Sequence, residues 1–339
     1  MKNKIIATLV ALGLVGSASA LDINENLSIN GFIDTSYTHT ENSGTPTADD
    51  RQELGLDEIE LNFLFNVGGA SGAIHVDRTD GRESDGVAPI AGGASDVDEG
   101  INLEQAFIGY TLENGVSLTI GKYGSQLGLE REDPGGLYTF SRAYGEATGG
   151  QFNLGDVDEN VYEGVRLGYS SDVFGLGISL QNDAGVGSAE DIEDNELDLE
   201  FSLTYTGIEN LTLGGGYRFE NAGGSVTESD VLNVHFTTVM GKFLIGAEYI
   251  EIENALKTAA DQDLDGWQVL ADYDVSEKLG VALRISSNEL DGSNDYEKVT
   301  LAPNYSLTDS LGVILEYSDV DTGSGGDANE LALELTFTF

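Results

Sequence analysis

The sequence predicts an all-β fold, a sixteen-stranded antiparallel transmembrane β-barrel. Three observations carry this. Apolar residues alternate with polar or small ones over segments of roughly ten residues, the period of barrel strands and of no helix. Sixteen such segments occur, an even number. The connections between them alternate between short and long, as turns and loops at opposite ends of a barrel do.

Residues 1–20 stand apart from this pattern. Lys2 and Lys4 precede an apolar run at 5–16, and Ala18-Ser19-Ala20 is a small-residue cleavage signal. This reads as a secretory signal peptide, with residues 21–339 as one barrel domain. No other stretch approaches the length of apolar sequence that a spanning helix needs, so any crossing falls to strands.

The first segment, 27–38, places Leu27, Ile29 and Ile33 on one face. The second, 56–67, aligns Ile59, Leu61, Phe63, Phe65 and Val67. A short third at 73–79 is followed by 101–112 and 116–123, then by 161–170 and 174–182. Segment 196–206 sets Leu197, Leu199, Phe201, Leu203 and Tyr205 against Glu196, Asp198, Glu200, Ser202 and Thr204. Next come 211–219, 231–240, 243–252, 267–274, 279–287, 296–305 and 311–319. The last, 330–339, puts Leu331, Leu333, Leu335, Phe337 and Phe339 on one face, and it should pair with the first to close the sheet. Tyr and Trp residues near many segment ends, among them Tyr110, Tyr169, Tyr217, Trp267, Tyr273, Tyr305 and Tyr317, fit interfacial girdles.

The opposite face is polar and rich in acids: Asp34, Glu58, Glu60, Glu200, Glu248, Glu316 and Glu334 share it. Sixteen strands leave a water-filled channel, whereas eight would be filled by side chains. Arg166, Arg218 and Arg284 also take inward parity, because arginine on a lipid face is costly. The 60 acidic and 15 basic residues give a net charge of −45, which makes nucleic acid and anionic lipid poor partners. There is no cysteine, which excludes thiol chemistry, and the three histidines lie far apart in sequence, so no metal site is expected. Residues 261–266 begin like a calcium loop, but position twelve would be Asp272, inside a strand, so no EF-hand is expected. No serine motif pairs with a histidine, so neither catalytic residues nor cofactors are expected.

The longest connection, 124–160, mixes acids, arginines and aromatics. Around it the chain resembles the general diffusion porins of Gram-negative outer membranes. LTIGKYG at 118–124 resembles the strand end before their third loop, YEGVRLGY at 162–169 the strand after it, and the terminal LELTFTF their closing strand. The resemblance implies a third loop folded into the pore, with loop acids Glu130, Glu132 and Asp133 facing basic wall residues; Lys122 matches the family's basic position, parity supplies Arg166, Arg218 and Arg284, and the alternative is that these arginines pair with neighbouring inward wall acids such as Glu248. Asp156, Asp158 and Glu159 are further loop candidates. It also implies a homotrimer in outer-membrane lipid. The expected function is passive diffusion of small hydrophilic solutes, with cations preferred because inward acids outnumber inward bases. The alternative is a substrate-specific channel, for a sugar for example, using the loop aromatics Tyr138, Phe140, Tyr144 and Phe152.

Overall fold

A computed structural model of the chain describes residues 20–43, 50–79, 101–130, 136–144, 161–182, 197–220, 228–255, 262–292, 295–323 and 327–339. Its strands are β1 (Leu21–Asn24), β2 (Leu27–Ser43), β3 (Arg51–Val67), β4 (Ala70–Thr79), β5 (Asn102–Thr111), β6 (Val116–Gly124), β7 (Val161–Ser170), β8 (Phe174–Asn182) and β9 (Leu197–Ile208). They continue as β10 (Leu211–Phe219), β11 (Asp230–Met240), β12 (Phe243–Ile252), β13 (Leu264–Asp274), β14 (Leu279–Leu290), β15 (Tyr296–Ser306), β16 (Leu311–Asp321) and β17 (Asp327–Thr338).

From β2 to β17 each strand pairs antiparallel with the next, and β17 returns to β2, from Thr338↔Phe32 to Asp327↔Ser43. The sheet is therefore a closed barrel of sixteen strands. Closure leaves no open edge, which is what lipid requires of a β structure. Asp272 lies within β13, so the calcium-like stretch before it runs into a strand, as expected.

The seventeenth strand, β1, was not foreseen. β17 stops opposite Phe32, and Phe339 exchanges two backbone bonds with Gly31 of 3.1 and 3.0 Å. This leaves the first residues of β2 without a partner on that side. β1 turns back and pairs there, from Leu21↔Ile29 to Asn24↔Leu27. Four exposed residues are too few for an alternation to register. Several strands also run further than the alternation predicts, among them β2, β3, β13, β14 and β17. All extend on the side of the long connections. Backbone pairing continues there, but the outer face no longer needs apolar residues.

Burial is inverted relative to a water-soluble protein. In β8, Ser179 and Gln181 are buried, while Leu176, Ile178 and Leu180 are 47–49% exposed. The same holds in β3, where Glu58, Glu60 and Asn62 are buried and Leu61 and Phe65 are exposed. A continuous apolar exterior of this extent belongs in lipid. Aromatic residues ring both ends of it. Phe174–Tyr205 and Phe243–Tyr273 stack on the turn side, at 5.1 and 4.6 Å. On the loop side the phenols reach polar partners: Tyr217 donates to Asp230 Oδ2 at 2.9 Å and Tyr317 to Asn329 Oδ1 at 2.6 Å. An apolar body with a hydrogen-bonded tip suits the membrane interface.

Candidate functional site

The connection after β6 is described at 125–130 and 136–144, and both pieces lie against the inner wall. A chain without regular structure must find acceptors for its N–H groups, and a carboxylate only accepts. Inward acids supply those acceptors in order along the sheet. Ser125 Oγ and Gln126 N donate to Glu200 of β9 at 2.6 and 3.1 Å. Gly128 N donates to Asn233 of β11 at 3.1 Å, and Leu129 N to Glu248 of β12 at 2.6 Å. Phe140 N and Ser141 N donate to Glu316 of β16 at 2.7 and 3.2 Å. The buried Glu248 also accepts from Asn233 and Gln268, each at 2.8 Å, and from the Tyr144 hydroxyl at 3.1 Å.

Among the described residues, one ion pair joins loop and wall within this ladder. Arg284 of β14, fully buried, lies 2.6 Å from Glu130. The same guanidinium donates to Thr139 Oγ1 at 2.8 Å, Ser141 Oγ at 3.2 Å and the Arg142 carbonyl at 2.7 Å. Glu130 in turn accepts from Ala143 N at 2.8 Å, and its carbonyl from Arg142. Two loop segments are thereby fastened to each other and to β14. Charge-assisted bonds of this kind are roughly twice as strong as neutral ones.

Apolar contacts fill the spaces between. Leu127, Ala143 and Tyr144 form a buried cluster with inward Val231, Ile250, Ile252, Leu264 and Leu290. Tyr138 and Phe140 pack on Leu270, Ala282, Ala302 and Ile314. Gly216 of β10 is needed here, because a Cβ at that position would sit 2.6 Å from Leu127 Cδ2 and against the Phe201 carbonyl. Burial, and then Asp272 and Asp274, push the Tyr138 phenol up to about 12.

The residues anticipated from sequence fall into three groups. Glu130, Arg284 and Glu248 come together at the loop, although Glu248 faces loop N–H groups rather than a base. Arg166 and Arg218 point inward, but toward tyrosines. Arg166 lies over the Tyr123 ring at 4.3 Å, donates to Ser179 at 3.0 Å and also to the Gly124 carbonyl. Arg218 lies over the Tyr162 ring at 5.2 Å and donates to its hydroxyl. Lys122 does not line the wall. It pairs in register with Glu163 and Ala106 on the outer face, and its amine donates to the Leu103 carbonyl at 2.8 Å. The lysine stem covers apolar surface while the amine reaches a polar group near the strand end, so the outer position is tolerable. Glu132, Asp133, Asp156, Asp158, Glu159 and Phe152 lie outside the described residues.

The wall holds a further inward base that is not among the expected site residues. Lys298 of β15 is buried, with its amine 3.5 Å from Glu330. Outward Val299 and Leu301 flank its register, so parity alone would have found it.

The comparisons with known proteins agree with this architecture. The family model described as "Putative beta-barrel porin-2, OmpL-like" matches residues 26–339. No curated protein matches the chain. Among solved structures, the outer membrane channel DcaP of Acinetobacter baumannii is 13% identical with a TM-score of 0.64, covering 95% of this chain and 100% of its own. An anion-selective porin from Comamonas acidovorans is 12% identical with a TM-score of 0.63, covering 92% and 99%. In-vitro folded OmpT of Vibrio cholerae, in its trimer form, is 17% identical with a TM-score of 0.56, covering 92% and 99%.

Proposed function

Because the chain belongs to the OmpL-like beta-barrel porin family, we propose that it is an outer-membrane porin of a particular kind: a cation-preferring channel for passive diffusion of small hydrophilic solutes. Outer-membrane location and a porin-like barrel follow from the family. The ion preference does not, since the same fold serves an anion-selective porin and selectivity resides in side chains. The supporting observation is the inward charge balance. Asp34, Glu58, Glu60, Asp198, Glu334 and the loop-bound acids take the inward face, and they outnumber Arg166, Arg218, Arg284 and Lys298, the inward bases among the described residues. Rings of acids attract cations and exclude anions.

On this reading the described loop residues 125–130 and 136–144 narrow the lumen from the β9–β16 side, with Glu130 and Arg284 joined at the wall. Solutes would pass along the opposite wall. The loop aromatics Tyr138, Phe140 and Tyr144 are engaged by the wall, which favours sieving by size over a sugar-specific aromatic slide. Export by a signal peptide at 1–20 and assembly as a homotrimer complete the proposal. The trimer form of the Vibrio OmpT neighbour supports the latter.

Reversal potentials of single channels in a salt gradient test the ion preference. The expected sign is that of cation flow, and a clear anion preference refutes the proposal. Liposome swelling with sugars of graded size should fall smoothly with solute radius. Saturation by one sugar would instead establish the substrate-specific alternative.

A further inference from the structure

Strand pairing brings together a set of side chains that the sequence keeps apart. Glu60 of β3, His75 of β4 and Glu104 of β5 converge on the inner wall, with one ligand-type atom from each all within 4.8 Å of one another. His75 Nδ1 lies 3.3 Å from Glu60 Oε1 and 3.9 Å from Glu104 Oε2. Glu60 and His75 are buried at 0% and 2% exposure. Neither Glu60 oxygen, neither His75 ring nitrogen, nor Glu104 Oε2 makes a hydrogen bond. Asn62, the register partner of His75 on β3, adds another buried oxygen without a bond.

A fully buried carboxylate set beside a second, partly exposed one is costly unless a cation compensates it. Each arginine on the inner wall is engaged elsewhere, at Tyr123, Tyr162 and Glu130. The donor set of one imidazole nitrogen and two carboxylate oxygens suits a first-row divalent ion. A tetrahedral ion bound at about 2.0–2.2 Å holds its donors about 3.3–3.6 Å apart. The 3.3 Å separation of His75 from Glu60 matches that range, and the 3.9 Å separation from Glu104, with all three donor atoms within 4.8 Å of one another, asks the partly exposed Glu104 side chain to move inward on binding. The surroundings also hold the donors in place. Gln105 donates to the other oxygen of Glu104 at 3.1 Å, and Phe107 flanks the His75 ring at 6.3 Å between centroids. The partial exposure of the Glu104 side chain, 25%, leaves a route of access.

We propose that Glu60, His75 and Glu104 form a binding site for a divalent transition-metal ion of the zinc class on the inner wall of the barrel. Nδ1 of His75 is the nitrogen donor, which requires the neutral ring.

The test uses the full barrel in detergent, with Zn2+ as probe and excess Mg2+ to occupy surface carboxylates. Oxygen-only clusters bind Mg2+, whereas a site with an imidazole donor prefers zinc. Titration calorimetry should detect a single retained equivalent of Zn2+. His75→Gln and Glu60→Gln should abolish it. His39→Gln, which alters the exposed His39–Glu41 pair, should not. Should the buried variants fail to fold, Co2+ on the unaltered protein gives an independent readout. Visible d–d absorption displaced by Zn2+ but not by Mg2+ supports the site. Absence of retained Zn2+, of displaceable Co2+ absorption, or an undiminished equivalent in His75→Gln overturns it. Because binding is measured without a bilayer, its failure leaves the channel reading intact, and failure of conductance leaves this site intact.

Discussion

The wall from β9 to β16 and the wall from β2 to β8 are built from similar strands but use their inward residues differently. On the first, Glu200, Glu248 and Glu316 spend their lone pairs on loop donors, and apolar side chains such as Ile250, Leu270 and Ile314 pack beside them. On the second, Glu60, His75, Asn62 and Gln181 are buried with polar atoms that make no protein hydrogen bond, like Gln268 Oε1 and Arg284 Nε on the first. The first behaves like the core of a water-soluble protein turned inside a barrel. On the second, Glu60 and Glu104 lie instead against His75, a neighbour on the wall itself. An inward carboxylate is therefore not by itself a selectivity element; its neighbours decide whether it holds chain or faces solute.

The contrast can be broken most forcefully at Arg284. Arg284→Met strands the Glu130 charge in a buried site, and removing one partner of such a pair costs about 3–5 kcal/mol. The loop should come away from the wall. Single-channel conductance should rise and flicker, and protease should cut near Tyr138. Adding Glu130→Gln should restore most of the docking, which a double-mutant cycle will measure. Conductance unchanged by Arg284→Met would mean that the loop does not shape the passage.

A gentler test uses pH. The Tyr138 phenol is pushed up to about 12 where the loop is docked. A free phenol releases its proton near pH 10, so between about pH 10 and 12 the undocked loop loses a proton that the docked loop keeps. Docking should weaken as pH rises through that window, by up to about 3 kcal/mol, about 1.4 for each of two pKa units. Tyr138→Phe should abolish the dependence, as followed by conductance or loop proteolysis. A slope that survives the substitution assigns the effect to other groups.

The smallest effect belongs to the open wall. Asp34→Asn with Glu58→Gln should leave loop docking untouched and lower cation preference. One charge at about 8 Å in water is worth about 0.5 kcal/mol, roughly a twofold change per charge in cation occupancy. Reversal potentials would record it. If the same pair of substitutions releases the loop instead, the division into two walls is wrong.

Much of this was legible in the sequence because a barrel repeats one rule. Alternation placed Leu331, Leu333 and Leu335 outside and Glu330 and Glu334 on the other face, and the seesaw of connection lengths placed the turns. Arg166, Arg218 and Arg284 lie on the inward face that parity gives them. Parity would have corrected Lys122, which follows outward Leu118 and Ile120 at the same period, and would have found Lys298. The loop's anchorage was not legible. A backbone N–H donating to Glu200 or Glu316 leaves no complementary residue type on the loop, so no search for opposite charges could find it. Glu60, His75 and Glu104 escaped for a related reason. They meet across strand register, and a bulge at β5 sets the last of them.

The docked loop also orders events in time. Phe140 and Glu316 are 176 residues apart in the chain, and Arg284 and Glu130 are separated by 154. The loop leaves β6 before any strand of its anchoring wall has been made. Closing such long chain segments is entropically expensive until intervening strands have paired. Docking should therefore follow barrel closure and be absent from the rate-limiting assembly step. Substitutions at Arg284 or Glu248 would then hasten release of the loop without slowing assembly of the barrel.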